Sequence, residues 1–457
     1  MPSSTALSPG VEGGARAPLE DDIDENRAVW TAGKEPYEAL LPLAGDTQAD
    51  VAIIGGGFTG VSTAYHLARR FPEKRIVLLE ARQLANGASG RNGGLMLNWV
   101  NGVDSRDLER SRRIYDATQE GIDLIESIIR EHGLRVSYRR DGCLDVFTDA
   151  RRADEAADEA ERLRSVGIPL EFVPGSEVGA RVRLQGVAGA VFDPGAGQLD
   201  GVDYIRELRP VLLSLGVAIH ENTPVLSIAE GREVVLTTPG GSVTARAIVL
   251  ATNAYTPRLG YFGAGICPLH SHVIATEPLS PERWEELGWR GVAGFGDDLN
   301  RLAYGSMTPR GELVFGGGSN AAYGYVFGSK TRYPGPAEQG FEAVHRRLLA
   351  YLPGAAGVRI AHRWTGTVAL TLSRVCTMGV RGEHRNVYFA LGYSGHGVTL
   401  ANLAGRVLCD IYSDDDERWR KLPFYQQKLL YIPPEPLRWL GYHMYLAATG
   451  RSPKRAL

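Results

Sequence analysis

The stretch "VAIIGGGFTG", from Val51 to Gly60, constrains the fold of this chain more than any other. Val51 to Ile54 is a short apolar run with β-branched residues, which reads as a buried strand. Gly55-x-Gly57-x-x-Gly60 follows at once, and Ser62 to Arg70 then places Ala64, Leu67 and Ala68 on one helical face. A second apolar run, "RIVLLE", ends on Glu80, twenty residues beyond Gly60. Strand, glycine turn, helix and acid-ended strand in this order predict a dinucleotide-binding βαβ unit. Gly55 allows the tight turn, Gly57 lets a pyrophosphate approach the backbone, and Gly60 lets the helix pack close to the strand. The helix N-terminus offers unpaired N–H groups and partial positive charge to the phosphates. Glu80 can accept hydrogen bonds from ribose hydroxyls and would repel a 2′-phosphate.

NAD and FAD both fit this unit. The loop "LANGASGRNGGLML" at Leu84–Leu97 sets Ser89, Arg91 and Asn92 among small residues, a composition that lets backbone meet a ligand. No second GxGxxG–helix unit exists for a separate NAD. A formal net charge of −3, from 50 basic and 53 acidic side chains, argues against nucleic acid as a partner. Cys143, Cys267, Cys376 and Cys409 are scattered, without CxxC or Cys/His clustering, so no metal is expected and the thiols read as reduced in a cytoplasmic protein. The first 30 residues lack a signal-peptide core and read as a flexible, acidic-ended tail. No run approaches the ~20 apolar residues of a membrane span.

Taken with "GASGRNGG", the βαβ unit resembles the D-amino acid oxidase-type FAD-dependent oxidoreductases, which include glycine and sarcosine oxidases. The resemblance continues through "GAVFDPGAGQLDGVDYIRELRPVLLSLGVAIHENTPV" (Gly189–Val225) and "AIVLATNAYTP" to "GYSGHGVTLANLAGRVL" at Gly392–Leu408. It covers roughly Asp50 to Asp410, and the segment ahead of the first strand looks like the gamma-glutamylputrescine oxidase subgroup. It implies an α/β fold: a Rossmann-type FAD-binding domain, glutathione reductase-like, interwoven with an antiparallel-sheet substrate domain over the flavin. Residues 47–100, 185–260 and 361–421 would form the first domain, and 101–184 and 261–360 the second. Residues 1–46 are an extension. Residues 422–457, rich in Pro, aromatics and Leu, read as a docking tail rather than a membrane-surface anchor. Helices are expected over Asp104–His132 and Ala153–Val166, a hairpin around Asp141-Gly142, and a second hairpin at "PGGS".

The resemblance assigns FAD contacts to the glycine turn with Phe58 and Thr59, and to Glu80, Ala81 and Arg82 after the second strand. In the glycine-rich loop it adds Ala88, Ser89, Arg91, Asn92, Gly93 and Gly94, and further on Val225, Ala251 and Thr252. Gly392, Gly395, His396, Gly397, Val398 and Thr399 complete the set. A helix starting near Val398 would aim N–H dipoles at flavin N1/O2, and His396 could add a hydrogen bond or positive charge. His396, His272 and Trp364 are the candidate catalytic residues. His270 and His272 share one strand face, and Tyr304, Tyr323 and Tyr325 are further wall candidates.

The implied reaction moves a hydride from the carbon next to an amine to the flavin, as an oxidase or dehydrogenase acting on CH–NH groups. O₂ as acceptor gives hydrogen peroxide; a quinone or electron-transfer protein is the alternative, and a non-catalytic flavin-holding assembly subunit another. Gly366 stands where sarcosine oxidases carry the flavin-linking cysteine, and Arg91 where other relatives carry a linking histidine, so non-covalent FAD is expected. Thr399 replaces the sarcosine oxidase lysine, and Ser306 to Thr308 replace the arginine that clamps an α-carboxylate. That leans towards a larger amine or a substituted amino acid, unless Arg135, Arg301 or another arginine swings in.

Overall fold

The computed structural model describes residue 23 and residues 26–299, 301–334 and 337–449. The acidic-ended tail expected over residues 1–30 falls mostly outside the described residues, as does the basic end from residue 450 onwards.

The strand Thr47–Ile54 lies in the middle of an eight-stranded sheet. Gly241–Leu250 runs parallel to it on one side, Ile76–Leu79 on the other, and Ala218–His220 continues beyond. Both faces of such a strand are covered, which is why Val51–Ile54 is apolar without alternation. The first half of Gly241–Leu250 forms the "PGGS" hairpin with Val234–Thr238, and its second half pairs in parallel with Val387–Leu391.

The helices Phe58–Arg70 and Gly397–Tyr412 cross at backbone distance. A Cβ on Gly405 would overlap Ser62, whose hydroxyl donates to the carbonyl of Asn402 at 2.6 Å. The helix Leu108–His132 packs against the same closing helix, with Gly121 facing Thr399 and Leu403. Its Ile114, Ile122, Ile125 and Ile128 join the core under the first sheet. Asp107 caps this helix and Gly133, at φ +59°, ends it. The other expected helix is found at Ala150–Ser165.

The second sheet has nine strands and is antiparallel except for Gly294–Asp297 beside Cys143–Phe147. One of its strands, and all but the first residue of another, lie inside stretches expected in the nucleotide domain. Gly189–Asp193 pairs with Cys143–Phe147, and Ile360–Leu370 pairs along the whole of Cys267–Thr276. The hairpin expected around Asp141-Gly142 does not form. Tyr138–Arg139 pairs with Gly197–Leu199 in a separate small sheet, because Gly142, at φ +75°, carries the chain from one sheet to the other.

Residues 26–46 pack beside the helix Gly201–Ser214 and the turn at Arg310. Lys34 bridges Asp200 and Asp203 at 2.7 and 2.6 Å, and Trp30 is buried. The C-terminal helix Leu437–Thr449 lies against the second sheet, where the hydroxyl of Tyr442 donates to the carbonyl of Tyr323 at 3.2 Å.

Two predictions follow from this packing. Gly405→Val should cost about 1–3 kcal/mol by overpacking the helix crossing, read as a lower urea midpoint with an unchanged slope. His66, on the nucleotide helix, is buried, with Nε2 lacking a hydrogen-bond partner among the described residues, and burial holds its imidazole down at about 4. Its folded value lies below the ordinary ~6.5, so the neutral ring stabilises the fold above that pH. This contribution is lost as pH falls from about 6.5 towards 4, so His66→Leu should flatten the decline of the urea midpoint between pH 7 and 4.5.

Candidate active site

A cavity of about 400 Å³ lies between the two sheets. Its lining starts at the glycine turn, where Gly55 sits at φ +109°, a conformation open to glycine. A Cβ on Gly55 would stand 2.8 Å from the carbonyl oxygen of Ala251, and one on Gly60 would overlap the carbonyl of Gly55. A Cβ on Gly57 would stand 2.7 Å from Ser89 Oγ and fill the cradle at the helix N-terminus. Phe58, Thr59, Glu80, Ala81, Val225, Ala251 and Thr252 line the same part.

Glu80 accepts from the N–H of Gly56 at 2.7 Å and of Arg82 at 2.9 Å. Burial nonetheless pushes its carboxyl above the usual range, against the pull of those two donors. A hydroxyl-bearing ligand at this position would add donors to a carboxylate already short of water.

The glycine-rich loop brings Ala88, Ser89, Arg91, Asn92 and Gly93 to the cavity. Ser89 Oγ accepts from the N–H of Phe58 at 3.0 Å, and Asn92 donates to the carbonyls of Ala88 and Ser89. Two indoles hold successive carbonyls of this loop: Trp30 donates to Asn92 O at 2.7 Å and Trp364 to Arg91 O at 2.9 Å. Arg91 turns inward and donates from Nε to Asn86 O at 2.8 Å.

Opposite the loop, Gly395, His396, Gly397 and Val398 line the cavity. His396 is the N-cap residue of Gly397–Tyr412, so the first N–H groups of that helix point to the same space. Tyr393 fixes this corner to the nucleotide helix through Thr59, oxygen to oxygen at 2.7 Å.

Several expected site residues stand behind the wall. Gly60, Gly94, Gly392, Arg82 and Thr399 are not part of the lining; they shape the turns and helix contacts that support it. The Gly392 N–H, for example, donates to Asn253 Oδ1 at 3.0 Å. His272 and Trp364, the other two catalytic candidates, are also not part of the lining. Strand pleating turns Leu269, Ser271 and Val273 to the cavity and sends His270 and His272 to the other side. His272 Nδ1 there lies 2.9 Å from Ala322 O, between the rings of Tyr333 and Phe341. Trp364 is buried as the clamp on Arg91.

Of the tyrosines, Tyr304 and Tyr323 line the cavity, and burial pushes the Tyr304 phenol up to about 12. Tyr325 instead bonds Ser329 and Glu435. The sequence reading missed Tyr442 and Tyr445, which reach the cavity from the C-terminal helix; their spacing of three, on one helix face, was the available signal. Among the described residues no group of three His, Cys, Asp or Glu side chains could hold a metal ion, and no helix is long and apolar enough to cross a membrane.

Comparison with known proteins places this geometry. The family described as FAD dependent oxidoreductase matches residues 50–411. The gamma-glutamylputrescine oxidoreductase of Escherichia coli is 30% identical over 88% of this chain and 93% of its own length. A probable oxidoreductase of Haemophilus influenzae is 29% identical over 82% of this chain and 86% of its own length. The solved glycine oxidase of Geobacillus kaustophilus superposes with a TM-score of 0.71 at 21% identity, covering 84% of this chain and 99% of its own.

The indole clamp is testable. Trp364→Phe keeps an aromatic ring but removes the donor to Arg91 O, a loss of about 1 kcal/mol, so FAD retention should weaken about fivefold in a fluorescence titration of released flavin.

Proposed function

We propose that this chain, which belongs to the FAD-dependent oxidoreductase family, oxidises the CH–NH bond of an amine or substituted amino acid to an imine, which water hydrolyses to a carbonyl. The observation that carries this reading is that the glycine turn and the His396 loop open into one cavity.

The residues present fit FAD. The cradle at Gly57, which a side chain would fill, faces the first N–H groups of the nucleotide helix. Glu80 has a carboxylate oriented by two backbone donors for ribose hydroxyls. When bound, FAD would supply the acceptor for the hydride, which carries both electrons away from the substrate carbon. The protein's part is to hold the C–H bond in line, to exclude water and to take up the N–H proton. The helix N-terminus behind His396 would present positive potential where negative charge develops, and His396 would add a hydrogen bond or positive charge there. The apolar flank of Leu269, Val273 and Val368 keeps the amine desolvated, which favours the neutral form the reaction needs.

FAD is held without a covalent bond in this reading. Gly366 and Arg91 offer no linking side chain. Cys143 reaches the cavity, but burial, with Asp193 nearby, pushes its thiol well above the usual range and keeps it protonated. The substrate is an amine larger than glycine, in keeping with the name of the relative from Escherichia coli. O₂ is the acceptor, with peroxide as product. The buried, unpaired cysteines suit a cytoplasmic setting.

A panel of primary and secondary amines tests the reading: at least one should bleach the flavin anaerobically and release peroxide in air. Bleaching without peroxide would move the acceptor to a quinone or a protein, and no bleaching by any amine would overturn the reading. With a bleaching amine in hand, His396→Ala should slow flavin reduction about a hundredfold while FAD stays bound.

A further inference from the structure

The C-terminal helix Leu437–Thr449 lies beyond the residues that match the family, yet it walls the cavity with Tyr442 and Tyr445. Two guanidinium groups meet it there. Arg301, ahead of the strand Ala303–Met307 in the second sheet, is 8% exposed, lines the cavity and places its guanidinium 5.3 Å from the centroid of the Tyr445 ring. Its Nε donates to Asn320 Oδ1 at 3.0 Å, which fixes the plane of the fork. Arg374 comes from the segment between the strands Ile360–Leu370 and Thr377–Arg381 and donates from Nη2 to the Tyr445 hydroxyl at 3.1 Å. One phenol thus joins two cations from different parts of the fold, all three on the cavity lining. Among the described residues, the carboxylates on that lining are Glu80, held under the glycine turn, and Asp145.

Resting on the amine-oxidising reading, we infer that Arg301, Arg374 and Tyr445 form a recognition site for a carboxylate carried by the substrate. A guanidinium fork matches a carboxylate in shape and charge, and a bond to it gains strength in a partly dry cavity. The same two cations disfavour an ammonium beside them and so help to keep the reacting amine neutral. The missing clamp at Ser306 to Thr308 is thereby replaced from another direction, with the C-terminal helix as part of the site.

Hexanoate and hexan-1-ol, matched in length and differing in the anionic group, probe this directly in the purified full-length holoenzyme. Their binding is followed by perturbation of the flavin absorption band and, independently, by calorimetry. The wild type should bind hexanoate about ten- to a hundredfold more tightly than hexan-1-ol. Arg301→Gln should collapse that ratio towards one, Arg301→Lys should restore part of it, and Tyr445→Phe should reduce it by loosening Arg374. Affinity for hexan-1-ol should stay the same in Arg301→Gln, which separates lost recognition from lost folding. Equal affinities in the wild type, or a ratio that survives Arg301→Gln, would overturn the proposal. Calorimetry reads the ratio whether or not any amine reduces the flavin, so failure of the oxidase reading and failure of this site give different results.

Discussion

Backbone must touch backbone at the glycine turn, and the rest of the structure is arranged around that contact. Gly60 leaves no room for a Cβ against the carbonyl of Gly55, and Gly55 leaves none against Ala251. The nucleotide helix is drawn down onto the end of the central strand, and its first N–H groups arrive at the cavity edge. Gly405 repeats the device on the opposite side of the helix, where the closing helix presses on Ser62. The loop that carries His396 starts that closing helix, so the position of His396 depends on the same pair of close contacts.

The cavity is finished by parts distant in sequence. Trp30 comes from the segment ahead of the first strand, Trp364 from a strand of the second sheet, and each holds one carbonyl of the glycine-rich loop. A loop with so many glycines has much conformational freedom to lose, and two buried indole bonds help to offset that cost. Thr59 and Tyr393 tie the nucleotide helix to the His396 corner, and the C-terminal helix closes the side that the sheets leave open. The cavity therefore belongs to neither sheet alone.

The local elements were legible because their causes are local. The βαβ unit follows from an apolar run, three glycines and an acid; the "PGGS" hairpin follows from its turn residues. Ile360–Leu370 joins the second sheet through residues nearly a hundred positions earlier, a partnership that no local pattern reveals. The two-residue period put His270 and His272 on one face correctly, but the period does not say which face meets the cavity. Trp364 was a candidate through the family resemblance, whereas its indole turns to a backbone carbonyl. The role of Tyr445 depends on where a terminal helix docks, and its amphipathic spacing carries no address.

The measurement closest to the central claim is the FAD content of the purified chain, wild type against Gly57→Leu, after exhaustive gel filtration. Leucine at position 57 would fill the cradle in front of the helix N-terminus without entering either helix crossing. The account predicts a yellow wild type with one FAD per chain, and a folded, colourless Gly57→Leu that takes up no added flavin. A wild type that binds no FAD, or a leucine variant that keeps it at full strength, would contradict it.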